Sequence, residues 1–360
     1  MTYSKENTLL QPDISVPATP SFIIDRSKHK IPGTDQLSWA QKLSKTFIYQ
    51  TVLKFEEIKN QRKQNINTKS TLCIFANPRG GSTWLGEILS EIPDSVLCSE
   101  PLFRLNEFSD LNFAWHQPIP AGKDWPEAKE VFRKLLNREN LKYSVYYPNN
   151  LMSIRNATRH IFKFCHGNML LEWLTDNFAV YPVLLVRHPC AVVSSQLRHK
   201  GWHYLKKEKN YDYSIPNSRY NEAYLLYEDV LKTVKTSEEN LAATWCLTMT
   251  DSLKNSSNDV KWITVAYENL YSNFENEINR IFSRLGIAIP PTVYQKNRNL
   301  SVSTLESSSQ YVLSGKQLKS WKDRLTAKQQ NNIMGIVKAF EIDHYTLDPE
   351  PNLAKMYVQK

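Results

Sequence analysis

Apolar residues follow two rhythms along this chain. Short unbroken runs occupy 71–76, 95–99, 160–165, 181–187 and 260–266. Runs of this length, rich in Ile, Val, Leu and Phe, suit strands buried on both faces. Between them, apolar positions recur at three- and four-residue spacing near 83–91, 126–138, 168–178, 190–199, 220–254 and 269–285. That spacing predicts amphipathic helices. Strands alternating with helices predict an α/β fold, a single domain with a central parallel sheet of about five strands flanked by helices. Ligands in such sheets sit at the carboxyl ends of the strands.

Ahead of this core, Leu37, Ala40, Leu43, Phe47, Ile48, Val52, Phe55 and Ile58 keep helical spacing, opposite Lys42, Lys45, Lys54 and Lys59. They predict an N-terminal amphipathic helix over 37–58, docked on the core; its basic face leaves peripheral membrane attachment or a homodimer contact open. Residues 1–35, with Pro12, Pro17, Pro20 and Pro32, read as an extended arm. The domain is expected over 36–350, its cofactor core near 70–290, with 351–360 as a tail. Two stretches break the rhythm. Residues 104–150 carry Trp115, His116, Trp125, Tyr143, Tyr146 and Tyr147; residues 200–227 carry Trp202, His203, Tyr204, Lys206, Lys207 and Tyr211. They are expected to be aromatic-rich lid insertions, able to stack on a ring or sugar while holding an anion.

Composition narrows the classes. Of 360 residues, 41% are hydrophobic, which excludes a disordered chain. The net charge of +9 points to anionic partners or to solubility. No nucleic-acid motif or dense Lys/Arg block accompanies it, so a nucleic-acid partner is not expected. Cys73, Cys98, Cys165, Cys190 and Cys246 form no CxxC pair. They read as reduced, mostly buried thiols, with no metal site and a cytoplasmic setting. No apolar run reaches the roughly eighteen residues of a membrane span, and the polar start does not read as a signal peptide.

Candidate chemistry begins at Asn77-Pro78-Arg79-Gly80-Gly81-Ser82-Thr83-Trp84, between the first strand and the first helix. A tight glycine turn there aims backbone N–H groups at one point and adds the positive end of the helix dipole, making an anion site. Arg79 supplies a fixed charge, and Ser82 and Thr83 supply hydroxyls. The Gly-Lys-Ser/Thr ending of a nucleoside-triphosphate P-loop is missing. A second strand, Tyr181–Arg187, also ends in a fixed charge; His188-Pro189 turns the chain, and Ser195 lies in the following helix. Arg187 and Ser195 are placed to converge on one phosphate.

Residues 71–84 and 181–197 together resemble the two cofactor signatures of sulfotransferases that use 3′-phosphoadenosine 5′-phosphosulfate (PAPS). Ser99-Glu100-Pro101-Leu102, Tyr267-Glu268-Asn269-Leu270 and Trp321-Lys322-Asp323-Arg324-Leu325-Thr326 are similar to further family segments. The Glu-Pro-Leu and late Trp pieces look most like the carbohydrate branch. The resemblance covers about residues 70–345 and implies a P-loop nucleotide-kinase-like fold. It implies that Arg79, Gly80, Gly81, Ser82 and Thr83 hold the 5′-phosphosulfate, that Arg187 and Ser195 hold the 3′-phosphate, and that Trp84 stacks on adenine. Lys316, before the late Trp321, is a further candidate for the 3′-phosphate. The implied reaction is in-line transfer of a sulfonate, without a metal, to a hydroxyl or amine of a glycan, glycolipid or small natural product, leaving the 3′,5′-bisphosphate PAP. Arg79 would stabilise the leaving group. Glu100 is the first candidate for the base and His166 the second; Lys163 faces the sulfonate or caps its strand. A P-loop kinase-like phosphotransferase and a non-catalytic bisphosphate-binding protein remain as alternatives.

Overall fold

Five short strands, β1 (Leu72–Ala76), β2 (Ser95–Ser99), β3 (Arg159–Phe164), β4 (Tyr181–Val186) and β5 (Ile263–Ala266), make one sheet in the order β2-β3-β1-β4-β5. Every pairing is parallel: Leu72 lies opposite Ile161 on one side and Tyr181 on the other. This computed structural model describes residues 51, 71–139, 141, 143–146, 151–206, 212–297 and 316–357. The arm expected at 1–35 lies outside the described residues, as does the helix expected at 37–58 apart from Thr51. Among the described residues no helix is long and apolar enough to cross a membrane.

The longer helices are α1 (Ser82–Leu89), α2 (Pro126–Leu136), α3 (Leu171–Asn177), α4 (Pro189–Arg198), α5 (Ser237–Lys254), α6 (Phe274–Leu285), α7 (Lys316–Arg324) and α8 (Ala327–Ala339). Because side chains alternate along a strand, the sheet feeds two cores. Cys73, Phe75, Val96, Cys98, Phe162, Phe164, Leu184 and Val186 pack with α2, α3, α4, α5 and α8. Leu72, Ile74, Ala76, Leu97, Ile161, Val183 and Leu185 pack with α1 and α6. Both faces being covered explains why the strands read as continuous apolar runs rather than alternating ones.

Several boundaries differ from expectation. The helix expected over 220–254 is three pieces, Glu222–Leu225, Glu228–Leu231 and α5. The last starts afresh because Thr236 and Glu239 form a reciprocal capping box. The 260–266 strand begins only at Ile263: Asp259 adopts φ 51°, accepts the Thr264 N–H at 3.0 Å, and pairs with Arg280 and Arg284. The 269–285 helix breaks at Asn273, and 168–178 opens with a 3-10 turn before α3. In the 104–150 stretch, Phe108, Trp125, Phe132 and Tyr146 are buried in the first core, whereas Trp115 is 49% exposed.

Candidate active site

The chain leaves β1 at Ala76 and reverses over Asn77–Gly81. Arg79 at φ 71° and Gly81 at φ 99° shape the turn, and the Gly80 N–H closes it on the Asn77 carbonyl at 2.8 Å. A Cβ on Gly81 would lie 2.5 Å from Cδ2 of Tyr267, so glycine is required both for the backbone angle and for the ring beside it. Two helices hold the turn from behind. Thr248 of α5 donates to Oδ1 of Asn77 at 3.1 Å, and Nε2 of Gln196 in α4 donates to the Pro78 carbonyl at 3.0 Å. Gly81 is the N-cap of α1; no side chain caps that end, and its first turn has no acid. The helix therefore offers open N–H groups and the positive end of its dipole to the turn.

Arg187 follows β4 and comes to the same place. Its carbonyl accepts from Nε1 of Trp245 at 3.1 Å, and its guanidinium donates to the Arg79 carbonyl at 3.1 Å. The guanidinium carbon lies 4.2 Å from the centre of the Tyr267 ring, a cation–π contact. Nε of Arg79 donates to Oγ of Ser195 in α4 at 3.2 Å. Burial, reinforced by the charge of Arg187, pushes the Arg79 guanidinium below its usual value. Arginine titrates so high that Arg79 stays charged all the same. Nε of Arg187 and Nδ2 of Asn77 are buried donors with no hydrogen-bond partner among the described residues. Two crowded cations beside the spare donors of Arg187 and Asn77 suit a bound anion.

His188 fixes the second turn. Its Nδ1 accepts the Cys190 N–H at 3.1 Å and so caps α4, while its own backbone N–H donates to Oε1 of Glu268 at 2.8 Å. Its ring stacks on Trp321 at 4.6 Å. Burial holds His188 down to about 4, and burial pushes Glu268 up to about 7.

A second group gathers at the tips of β2 and β3. Glu100 adopts the left-handed φ of 52°. Its carboxylate accepts the Cys165 N–H at 3.0 Å and faces Nζ of Lys163 at 3.4 Å. Burial opposes the Lys163 ammonium, but Cys165 and Glu100 outweigh it and hold its pKa above the ordinary value. Nδ1 of His166 lies 3.3 Å from Nε2 of His116. Burial and then Lys163 lower His166 to about 3. Burial foremost, with His166 adding to it, holds His116 well below its ordinary value. Cys165 joins the two groups, since its Sγ lies 3.2 Å from Oγ of Ser82 in the glycine turn.

Residues 69–341 match the family model described as "Sulfotransferase domain". The chain belongs to the sulfotransferase family. A search of curated proteins finds no match. Among solved structures the chain is similar to the sulfotransferase domain of the Synechococcus PCC 7002 olefin synthase, at 16% identity and TM-score 0.40 over 77% of this chain and 95% of that one. It is similar to mouse sulfotransferase SULT7A1 complexed with PAP, at 15% identity and TM-score 0.36 over 75% and 84%. It is also similar to the sulfotransferase domain from the curacin biosynthetic pathway, at 16% identity and TM-score 0.40 over 75% and 96%.

The fold thus gathers Arg79, Gly80, Gly81, Ser82, Arg187 and Ser195 around one turn, with Thr83 partly exposed beside them. Glu100, Lys163 and His166 stand beyond Cys165. Trp84 is 5% exposed, packs against Tyr267, Tyr271 and Phe274, and donates its indole N–H to the Lys296 carbonyl at 3.0 Å. Its place in α1 turns it inward, so it is a core residue. Lys316 starts α7, and its side chain lies outside the described residues. Sequence reasoning missed Tyr267 and Gln196 as supports of the turn. The Tyr-Glu-Asn-Leu segment was visible, but nothing in its spacing says that its first ring lies under Arg187.

Proposed function

We propose that this sulfotransferase takes its sulfonate from PAPS and passes it to a hydroxyl of a ring-bearing acceptor, a glycan, glycolipid or small natural product. The observation that carries the reading is the meeting of the two anion motifs: Arg79 bonds Ser195, and Arg187 bonds the Arg79 backbone. A donor with a phosphosulfate at one end of its ribose and a phosphate at the other needs two such oxyanion sites side by side.

The fit of that donor is supported by the orphaned donors of Arg187 and Asn77 and by the uncapped start of α1. Gly80, Gly81, Ser82 and Thr83 would hold the phosphosulfate, and Arg187 and Ser195 the 3′-phosphate. Arg79 touches both motifs, so it would bridge the two ends rather than serve one. In the transfer the acceptor oxygen bonds to sulfur while the sulfur–oxygen bond to phosphate breaks, leaving PAP. Arg79 offsets the charge growing on the departing phosphate oxygen, a role worth about 3–4 kcal/mol for one well-placed donor. Glu100 takes the acceptor proton; Lys163 and the Cys165 N–H hold its carboxylate in place.

The test is calorimetric titration of the full chain with PAP, followed by incubation with labelled PAPS and a panel of hydroxylated acceptors, read by mass. Micromolar binding and an added sulfonate are expected. An absence of PAP binding overturns the donor assignment.

A further inference from the structure

Between Nδ1 of His166 and Nε2 of His116 there is room for one hydrogen at 3.3 Å, and its owner can be deduced. His116 is buried, and its other nitrogen, Nδ1, has no hydrogen-bond partner among the described residues. If His166 donated, neutral His116 would carry its hydrogen on Nδ1, leaving a buried N–H without an acceptor. If His116 donates, Nδ1 keeps only a lone pair. Orphaned buried N–H groups are rarer than under-used acceptors, so His116 is the donor. His166 then accepts at Nδ1, and its hydrogen must sit on Nε2. That nitrogen is not among the buried unpaired atoms, and His166 is only partly buried. Lys163 and Glu100 are the charged groups beside the pair, and both rings remain neutral.

We propose that His166 is not a base but a fixed hydrogen-bond donor to the acceptor, held in one tautomer by His116, with Trp115 forming the apolar wall of the same subsite. The Trp115 ring lies 3.8 Å from the His166 ring, meets Phe103 edge-on at 5.7 Å, and is 49% exposed. A half-exposed indole beside a neutral N–H donor matches a neutral ring with an apolar face and a hydroxyl rim, such as a sugar. A nitrogen that already carries hydrogen cannot take the acceptor's proton, which leaves that task to Glu100. The assignment rests on the proposed acceptor chemistry, but the tautomer does not.

The experiment uses the full chain labelled with 15N-histidine. Two-bond proton–nitrogen correlation reads the tautomer of each ring, with His166 and His116 assigned through His166→Gln and His116→Gln. Hydrogen on Nε2 of both rings is expected, unchanged from about pH 7.5 to 5.5, across the ordinary histidine value. Hydrogen on Nδ1 of His166, or an imidazolium at neutral pH, overturns the proposal. p-Nitrophenyl β-D-glucopyranoside, added to the PAP-saturated protein, is the ring probe. A shift of the His166 Nε2 signal supports the subsite, and an unmoved signal overturns it for neutral sugars. Failure to bind PAP would count against the donor reading alone, because the tautomer is read without any ligand.

Discussion

Nε of Arg79 donates to Oγ of Ser195 at 3.2 Å across 116 residues of sequence. This bond joins the turn after β1 to the helix after β4, and it makes Arg79 common to both proposed anion sites. Arg79→Ala is therefore expected to lower PAP affinity and turnover together, turnover by about 10²–10³-fold. Ser195→Ala removes one neutral partner and should weaken PAP by only about fivefold, near 1 kcal/mol. Calorimetry and initial rates on both variants check the order; equal losses would mean that Arg79 serves one end alone.

Gly81→Ala places a methyl group against the Tyr267 ring at a positive φ. A loss of about 1–3 kcal/mol of stability is expected, with PAP binding reduced because Tyr267 also supports Arg187. Thermal melting with and without PAP measures both. A variant that melts normally and still binds would show that the turn tolerates a side chain.

Glu100→Gln keeps the shape and the hydrogen bond from Cys165 but loses the proton acceptor. Turnover should fall by about 10²–10⁴-fold with PAP affinity almost unchanged. Normal turnover in this variant, alongside a dead His166→Gln, would reverse the roles of the two residues.

The pH dependence of stability has parts of opposite sign, of which His188 and Glu268 are examples. Unfolded histidine takes its proton near 6.5, whereas His188 in the fold waits until about 4. Between those values the unfolded chain holds more protons, so stability falls as pH drops. Glu268 acts oppositely: it keeps its proton up to about 7 in the fold and loses it near 4.5 when unfolded. Its stabilisation is present at low pH and fades as pH rises through that window. In Glu268→Gln the carboxyl part is lost and the histidine part remains. Urea unfolding at several pH values should then show a steeper fall on acidification, by up to about 1.4 kcal/mol per pH unit. An unchanged slope would show that Glu268 does not carry that proton.

The strands were legible because a sheet covered on both faces needs continuous apolar runs, and Leu72–Ala76 and Tyr181–Val186 supply them. The two arginines were legible because each ends such a run. The break before α5 was also written in the sequence, as Thr236 three residues before Glu239, but apolar periodicity masked it. Trp84 faces inward from α1, which a motif position does not reveal. The His116–His166 contact could not be read at all. It joins residues 50 apart and depends on His116 adopting φ 57°.

The strand order sorts the work. β1 and β4 are neighbours, and their tips carry Arg79 and Arg187; β2 and β3 are neighbours on the far side of β1, and their tips carry Glu100 and His166. Donor and acceptor handling, as proposed, thus occupy separate halves of one edge, joined by the contact of Cys165 with Ser82. A lineage built on this plan can drift at the β2–β3 half, trading one recipient for another, while the costly machinery for the activated sulfonate is inherited intact.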